Sequence, residues 1–305
     1  MKSHYNIFSL YTFFVFFLAL YLFTFSIPAL AQIKVLDDSG QTITMSQAAK
    51  KVISLSPALT ELIYAAGGSE LIIGVDSFSD YPEQAKKLPH IGSYDALDIE
   101  KILIMQPDLI VAWKSGNPKH QIEQLRKLGL TVYISEPETF ADIPRTIKTL
   151  GELMARESIA EKNADSFIEQ FEQLKLTYQS NKSKAKKRTF IQIWDNPVMS
   201  VNGNHLISKV ITFCGGKNIF APAKGITSSP SIESILEQNP EIIIATGMAD
   251  SSQSWLNRWR QWPFMSAVKN NRLYATNPDH LVRHTPRILQ GIQDVCLLIN
   301  SSDSK

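Results

Sequence analysis

The sequence predicts an α/β fold of two similar lobes, each with a mostly parallel sheet flanked by helices, joined by a single long helix. Three observations predict it. Strand-like and helical segments alternate towards both ends of the chain, the middle has a continuous helical pattern, and one helix–strand unit occurs twice. The predicted boundaries are 32–150 for the N-terminal lobe, 151–184 for the linking helix and 185–305 for the C-terminal lobe.

Residues 1–31 have the pattern of a cleaved export signal. Lys2 precedes the apolar run "FFVFFLALYLF", and Ala29 and Ala31 are the small residues that a signal peptidase prefers. We expect cleavage after Ala31 and export of the soluble remainder to a bacterial periplasm. The alternative is an uncleaved membrane anchor. No cysteine stands at the cut, so lipid attachment is not indicated.

Length and charge narrow the class of protein. About 270 residues remain after cleavage, which suits two lobes. The formal net charge of +2 falls by one with Lys2, so the chain has no basic field for nucleic acid and no acidic field for a cationic partner. The signatures of serine hydrolases, zinc proteases, dithiol enzymes and phosphate loops are absent from the sequence. We expect a monomeric protein that is not an enzyme and has no cofactor, catalytic residue or metal site.

The N-terminal lobe begins the alternation. "KVISLS", "LIIGVD" and "TVYIS" are short β-branched runs typical of strands. "ALTELIYAAGG" and "QIEQLRKLGL" have helical spacing and contain glycines that end helices. Such alternation predicts a parallel sheet covered by helices.

The middle of the chain, from Ile143 to about Ser180, has no strand pattern. Apolar residues recur there on one helical face, at Ile159, Ala164, Phe167, Phe171, Leu174 and Tyr178. A helix of roughly 23 to 25 residues would span about 35 Å. After it the alternation resumes with "TFIQIW", "NPEIIIATG" and "RLYATN". The segment "SWLNRWRQW" between the last two is helical, with Trp255, Trp259 and Trp262 expected in the core.

The repeated unit is "DIEKILIMQPDLIVAW", from Asp98, and "SIESILEQNPEIIIATG", from Ser231, 133 residues later. Asp98 and Ser231 stand where a helix N-cap belongs. Pro107 and Pro240 cannot continue a helix. One copy in each lobe predicts two similar lobes that face each other across a cleft.

A glutamate is third in each copy, Glu100 and Glu233. An acid in the first turn of a helix gains about 0.3–1 kcal/mol from the helix dipole, which explains either residue alone. Its recurrence favours a second role, because a partner with two-fold symmetry could receive both acids in identical basic pockets. The pair therefore predicts docking on a dimeric transporter.

Aromatic residues in two loops are candidates for a ligand wall. Phe78 in "DSFSDYP" follows a strand pattern, and Tyr94 in "HIGSYDAL" comes immediately before the first repeat helix. Ligands of parallel α/β sheets bind beyond the carboxyl ends of strands. Core packing is the alternative for either ring. His280 and His284, four residues apart, could bind a metal or serve an exported hydrolase together with Asp279. We expect them instead to be surface histidines of a polar loop.

The two cysteines, Cys214 and Cys296, form an even set in an exported chain. This predicts a disulfide, with two buried free thiols as the alternative.

The combination of "KVISLSPALTELIYAAGG", "DSFSDYP", "IGSYDALDIEKILIMQPDLIVAW", "VITFCGGKNIF" and "SPSIESILEQNPEIIIATG" resembles the helical-backbone, or class III, substrate-binding proteins of ABC importers. Within them it is similar to the members that carry cobalamin. The resemblance runs from about Lys51 to Ile299. It implies limited closure of two lobes around a rigid helix and a Cys214–Cys296 disulfide.

The resemblance also implies roles for individual residues. Glu100 and Glu233 match acids that pair with arginines on an inner-membrane permease dimer, which works with its ATPase subunits. Phe78 and Tyr94 match an aromatic wall against the corrin. The ligand-facing positions of the second lobe are Met199, Thr227, Asp279 and Arg283.

Two of these positions depart from the cobalamin carriers. Thr227 stands where such a protein has a tryptophan, and Met199 replaces a phenylalanine. Cobalamin is the expected ligand. Haem or a ferric siderophore, which the same fold also carries, is the alternative.

Overall fold

The computed structural model describes residues 32–178, 185–247 and 251–301. The predicted export signal, 1–31, lies outside the described residues. From Ile33 onward the chain forms one compact unit. None of the helices in the described part combines the length and hydropathy of a membrane span.

The strands follow one another along the chain in two similar series. They are β1 (Ile33–Leu36), β2 (Thr42–Met45), β3 (Val52–Ser54), β4 (Ile72–Val75), β5 (Gly92–Ser93), β6 (Ala96–Leu97), β7 (Leu109–Trp113), β8 (Val132–Ser135), β9 (Lys187–Gln192), β10 (Ser200–Val201), β11 (Gly216–Asn218), β12 (Thr227–Ser228), β13 (Ile242–Ala245) and β14 (Leu273–Ala275).

Helices cover these strands. They are α1 (Pro57–Ala65), α2 (Ile99–Met105), α3 (Lys119–Lys127), α4 (Asp142–Leu153), α5 (Glu157–Tyr178), α6 (Leu206–Phe213), α7 (Ile232–Gln238), α8 (Ser251–Trp259), α9 (Ser266–Lys269), α10 (Pro278–Leu281) and α11 (Ile288–Asn300), with 3₁₀ turns at Ser69–Leu71 and Glu83–Lys87.

Two four-stranded sheets, one in each half of the chain, have the same topology. The first has the order β4-β3-β7-β8 and the second the order β11-β9-β13-β14. Every pairing within them is parallel. In both sheets the first strand of the series lies between the second and the third. The predicted fold class, two similar α/β lobes with parallel sheets, is confirmed.

The linking helix is α5, 22 residues long and therefore about 33 Å from end to end. It begins at Glu157 rather than at 151, because residues 151–153 end α4 and Ala155, at φ 51°, separates the two helices. A Cβ on Gly151 would lie 2.3 Å from the Cβ of Ala160, so this glycine permits the close approach of α4 to α5. The division of the chain at 150 and 184 stays a prediction.

The face of α5 towards the protein buries Ala160, Ala164, Phe167 and Leu174. Ile159, expected in the same stripe, is 47% exposed. Because Ala160 occupies the buried position in this turn, its neighbour is rotated about 100° away from the core.

One hydrophobic cluster runs through both lobes. It includes Val52 and Leu109 of the first sheet, Phe167 of α5, and Ile191 and Ile242 of the second sheet. The opposite face of each sheet has a cluster of its own, which in the second lobe buries Trp255 and Trp259 and packs Trp262 against them as expected. Because this one hydrophobic core includes residues of both lobes and of α5, it limits the motion of one lobe relative to the other.

A disulfide joins Cys214, at the end of α6, to Cys296 in α11. The predicted pairing is confirmed. It closes a loop of 82 residues within the second lobe.

Candidate functional site

Three aromatic rings form a row beside the first sheet. The ring centroids of Phe78 and Tyr94 lie 5.9 Å apart, and those of Tyr94 and Trp113 lie 6.0 Å apart. Phe78 is 53% exposed and Tyr94 38%, so these two are not core residues. We call the three residues the aromatic row. Neighbouring rings are tilted by 52° and 55° to each other, so the row is a stepped apolar surface at the carboxyl ends of β4 and β7, where ligands of parallel sheets bind.

A buried amide holds the row together. Asn117, 6% exposed, donates from its Nδ2 to the carbonyl of Leu55 at 3.0 Å and to the carbonyl of Tyr94 at 2.7 Å. Its Oδ1 accepts from the backbone N–H of Trp113 at 2.6 Å. One side chain thus joins the ends of two strands to the Tyr94 loop, and it fixes the spacing of two rings.

The Phe78 loop is held by Asp76, a fully buried carboxyl group. Its two oxygens accept from the Phe78 N–H at 3.2 Å and from the Ser79 hydroxyl at 2.5 Å. Burial raises the pKa of Asp76, while these hydrogen bonds and the charge of Arg283 oppose that rise. The exposed Phe78 is therefore presented by a loop with a rigid base.

The second lobe presents a hairpin with smaller side chains. Trp194 and Met199 form an antiparallel bridge, and β10 pairs with β12 so that Val201 lies opposite Thr227. Met199 is half-buried, whereas Thr227 and Trp194 are exposed. Met199 immediately precedes β10, and Thr227 begins the partner strand β12 opposite Val201.

Polar contacts fix the base of this hairpin. Gln192 accepts from Trp259 Nε1 at 2.8 Å and donates to the carbonyl of Trp194 at 3.3 Å and to Asp195 at 3.1 Å. The guanidinium group of Arg258 contacts the Asp195 carboxylate at 2.9 Å. The exposed Trp194 ring lies 6.2 Å from Trp255 and donates from Nε1 to the carbonyl of Asn196 at 3.2 Å.

A group of charged side chains joins the two lobes. The carboxylate of Glu61 in α1, 4% exposed, accepts from Arg283 Nη1 at 3.1 Å and from the Thr285 hydroxyl at 2.8 Å. Arg287 binds the same carboxylate through two nitrogens, Nε at 2.9 Å and Nη2. These partners lie more than 220 residues away in the sequence.

Two further acids complete the group. Arg283 contacts Asp80 at 2.6 Å and Asp279 at 3.2 Å, and Arg287 contacts Asp279 at 3.5 Å. We call Glu61, Asp80, Asp279, Arg283 and Arg287 the cross-lobe cluster. Partial burial alone would raise the pKa of Asp80, but the adjacent Arg283 guanidinium lowers it below its usual value. The carboxylates likewise raise the pKa of both arginines against the opposing effect of burial.

Two histidines lie on a second seam between the lobes. His284 hydrogen-bonds through Nδ1 to the carbonyl of Pro137 at 2.7 Å, and its ring centroid is 5.2 Å from that of His205. Burial, reinforced by the neighbouring His284, lowers the pKa of His205 to about 3. Burial also lowers the pKa of His284. Nearby, Lys209 donates to the carbonyl of Glu138 at 2.7 Å.

The other histidine of the predicted polar loop has different partners. His280 lies 3.4 Å from Asp294 and 3.5 Å from Asn277. It shares no hydrogen bond with His284. Within the described ranges, no group of three or more metal-ligating side chains is placed to hold an ion.

The two glutamate-bearing helices have the same backbone geometry. Each is seven residues long, with an N-cap side chain, Asp98 or Ser231, that accepts from the N–H three residues on. Each ends at a residue in the left-handed region, at φ 48° in the first copy and 42° in the second. Glu100 and Glu233 are exposed at equivalent positions. The pKa of Glu233 is lowered by hydrogen bonds from its own N–H and from Ser231.

A cavity of about 320 Å³ lies on the side of the linking helix. Its wall includes Tyr64, Tyr81, Phe167, Gln170 and Leu289. The members of the aromatic row and the predicted ligand residues of the second lobe are not among its lining residues. Glu61 and Arg287 of the cross-lobe cluster also line it.

Residues 52–280 match the family described as periplasmic binding protein. The chain belongs to this family. The resemblance seen in the sequence motifs is confirmed, and with it the assignment to the helical-backbone type of periplasmic binding protein.

Relatives within the family are named for a ligand. The vitamin B12-binding protein of Vibrio cholerae serotype O1 is 36% identical over 249 residues, which cover 81% of this chain and 88% of the relative. The crystal structure of the periplasmic vitamin B12-binding protein BtuF of Vibrio cholerae is 35% identical, with a TM-score of 0.78, over 84% of this chain and 99% of that one. These relatives are binding proteins.

The same fold recurs at lower identity. The periplasmic haem-binding protein RhuT from Roseiflexus sp. RS-1 has a TM-score of 0.73 at 21% identity, over 84% of this chain and 99% of that one.

The structure brings four of the predicted ligand residues together in two pairs, Phe78 with Tyr94 and Asp279 with Arg283. Met199 and Thr227 lie on the β10–β12 hairpin without a direct pairing. Glu100 and Glu233 lie on separate helices outside these pairs. The role of the predicted ligand residues in binding, and the role of Glu100 and Glu233 in docking, stay predictions.

Sequence reasoning missed Glu61 and Asn117. Glu61 is an acid within the apolar helical stretch "ALTELIYAAGG", and a charge at a core position is the one signal that could have indicated a buried ion pair. Asn117 lies in the turn-like "SGNP", where an asparagine is common for local reasons.

Proposed function

We propose that this protein is the substrate-binding component of an ABC importer, and that it captures a cobalamin-type corrinoid between its lobes. After export to the periplasm it would deliver the ligand, as a monomer, to an inner-membrane permease dimer and its ATPase subunits. The proposal includes no reaction on the ligand and no resident cofactor. The observation that carries it is the exposed aromatic row at the carboxyl ends of the first sheet.

The chemistry of the row suits a corrin. Contact with a macrocycle needs a broad apolar face, and Phe78 and Tyr94 supply one. Neither side chain has to bind a metal for this contact. Met199 would contact the ring from the second lobe, since a thioether adapts to irregular surfaces. The relatives named for vitamin B12, at 35–36% identity over most of both chains, support this choice of ligand.

Haem or a ferric siderophore is the second candidate. The observation in its favour is the wall of the second lobe, where Thr227 and Met199 stand in place of the larger rings expected for a cobalamin carrier. The exposed Thr227 leaves room for a ligand of a different outline.

Titration with cyanocobalamin, cobinamide, haemin and a panel of ferric siderophores separates these candidates. We expect tight, one-to-one binding of the two corrinoids. Tight binding of haemin or a siderophore, with none of the corrinoids, would overturn the ligand and leave the transport role intact.

Delivery of the ligand would use Glu100 and Glu233. Because the two helices have equivalent geometry, they can present both acids to identical basic pockets on a symmetric permease. Glu100→Ala combined with Glu233→Ala should abolish uptake in cells that depend on this receptor and leave ligand affinity unchanged. The matched control is Glu237→Ala, an exposed acid one turn further along α7. A fall in ligand affinity in the double variant would place these acids in the pocket and contradict the docking role.

A further inference from the structure

The cross-lobe cluster leaves neither of its arginines without a carboxylate partner. Arg283 contacts Glu61, Asp80 and Asp279, and Arg287 contacts Glu61 and Asp279. The two arginine side chains are only 15% and 14% exposed. An incoming ligand with a carboxylate would therefore have to compete with acids that are already in place.

The charges of the cluster do not cancel. Three carboxylates and two guanidinium groups give a formal charge of −1. Asp76, fully buried below the Phe78 loop, lies near enough for its carboxyl group to interact with the charge of Arg283. The polar side of the predicted ligand site is thus weakly acidic although two arginines stand in it.

The cross-lobe cluster lies where the edge of a bound ligand would meet its charge. Asp80 follows Phe78 by two residues in one loop, and Asp279 begins the segment that carries both arginines. The periphery of a planar ligand against Phe78 would meet these acids. Amide groups can donate hydrogen bonds to carboxylates, whereas ligand carboxylates would be repelled.

We propose that Glu61, together with Asp80 and Asp279, determines ligand specificity by occupying both arginines, so that the site selects a macrocycle with an amide periphery over one with carboxylates. This inference rests on the proposed function for the choice of macrocycle. Glu61 is a positioning residue: it acts through Arg283 and Arg287, and its burial keeps it from the ligand itself.

A matched pair of ligands tests the inference. The probes are cyanocobalamin and its monocarboxylic acids, in which one peripheral amide is hydrolysed. The native protein should bind the amide about three- to tenfold more tightly than the acid, as expected for one like charge near a partly screened surface. The measured quantity is the ratio of the two dissociation constants in each variant, so an equal effect of a substitution on both ligands cancels.

The variants change the charge of the cluster in steps. Asp80→Asn should bring the ratio close to one, and Asp80→Asn with Asp279→Asn should reverse it in favour of the acid. Glu61→Gln should act in the same direction if the chain folds. If the Glu61 variant does not fold, the variants of the more exposed Asp80 still decide the test. The control is Asp165→Asn, which removes one negative charge from an exposed site on α5 and should leave the ratio unchanged.

A ratio that stays constant in the Asp80 and Asp279 variants would overturn the inference, as would an equal shift in the Asp165 control. If no corrinoid binds, the proposed ligand is wrong. The same variants with haemin and its dimethyl ester then decide the charge inference separately, and the dicarboxylate should gain over the ester as acids are removed.

Discussion

The two lobes share their scaffold and differ in what they present to a ligand. Both have the same strand order and the same seven-residue helix with a glutamate in its first turn. The first lobe adds an aromatic row positioned by a buried asparagine. The second adds the β10–β12 hairpin with Met199 and Thr227, the arginines Arg283 and Arg287, and a disulfide.

Under the proposed function, this difference separates two roles on one duplicated fold. The acids proposed to dock on a symmetric permease, Glu100 and Glu233, are repeated in both lobes. Residues proposed to meet an asymmetric ligand, such as Phe78 and Arg283, occur once. Changes that act on one lobe alone can therefore test this division.

The largest expected effect is on the stability of the second lobe. Replacing Cys214 and Cys296 by serine removes a crosslink that closes a loop of 82 residues, which the chain-entropy account values at about 4–5 kcal/mol. Urea unfolding followed by circular dichroism should show a loss of about 2–5 kcal/mol. The single variant Cys214→Ser should lose a similar amount, since either change breaks the bridge. A loss below 1 kcal/mol would show that the second lobe, like the first, is stable without a crosslink.

Ligand affinity should respond more strongly to the first lobe than to the second. Phe78→Ala and Tyr94→Ala each remove a large apolar contact, and each should weaken cyanocobalamin binding by about 10- to 100-fold. Thr227→Ala removes little and should change the dissociation constant by less than about threefold. Isothermal titration at one salt concentration makes the comparison. If Thr227→Ala weakened binding more than either aromatic substitution, the second lobe and not the first would contribute more to ligand affinity.

The folded protein should lose stability in mild acid. Burial lowers the pKa of His205 to about 3, so the unfolded chain binds more protons than the folded chain between that value and about 6.5. The contribution to stability is therefore complete above pH 6.5 and is lost as the pH falls. From pH 7 to pH 5 it amounts to about 2 kcal/mol.

The control for this prediction is His205→Asn. Asparagine can accept the N-cap hydrogen bond from Ile207 that His205 Nδ1 now accepts, and it does not titrate. Unfolding measured at pH 7 and pH 5 should show a smaller acid-induced loss in the variant, and an equal loss in both proteins would contradict the assignment.

A smaller effect is expected at Asn117. Replacement by alanine leaves two carbonyls and one N–H of the first lobe without this partner, at a cost of about 1–3 kcal/mol in unfolding free energy. Tyr94 and Trp113 would also lose their shared anchor, so the indole N–H resonance of Trp113 in a ¹H–¹⁵N spectrum should shift. The matched change in the second lobe is Gln192→Ala, which should leave that resonance unaltered.

The parts that could be predicted from the sequence are those with a local or repeated pattern. The N-caps at Asp98 and Ser231, the helix stops before Pro107 and Pro240, and the long amphipathic α5 each follow from neighbouring residues. The remaining contacts depend on distance along the chain. Glu61 meets residues more than 220 positions away, and no local period marks such a pair.

The loops that carry Phe78 and Tyr94 could be predicted from the sequence only in part. The position of both residues in loops predicted a ligand wall, with core packing as the alternative, and both rings are exposed. Asp279 and Arg283 were expected to face the ligand, and the structure also pairs them with each other and gives Arg283 the carboxylates of Glu61 and Asp80. The sequence could not show the contacts of Arg283 with Glu61 and Asp80, because those two acids come from the other lobe.

Hydrogen–deuterium exchange with and without saturating cyanocobalamin can separate the proposed ligand loops from the proposed docking helices. We expect slower exchange in the loops at 76–80, 92–97 and 276–287. Exchange in the helices Ile99–Met105 and Ile232–Gln238 should stay unchanged, because they would remain free to meet the permease. Protection of both docking helices with none in the loops, or no protection anywhere, would contradict this division of roles.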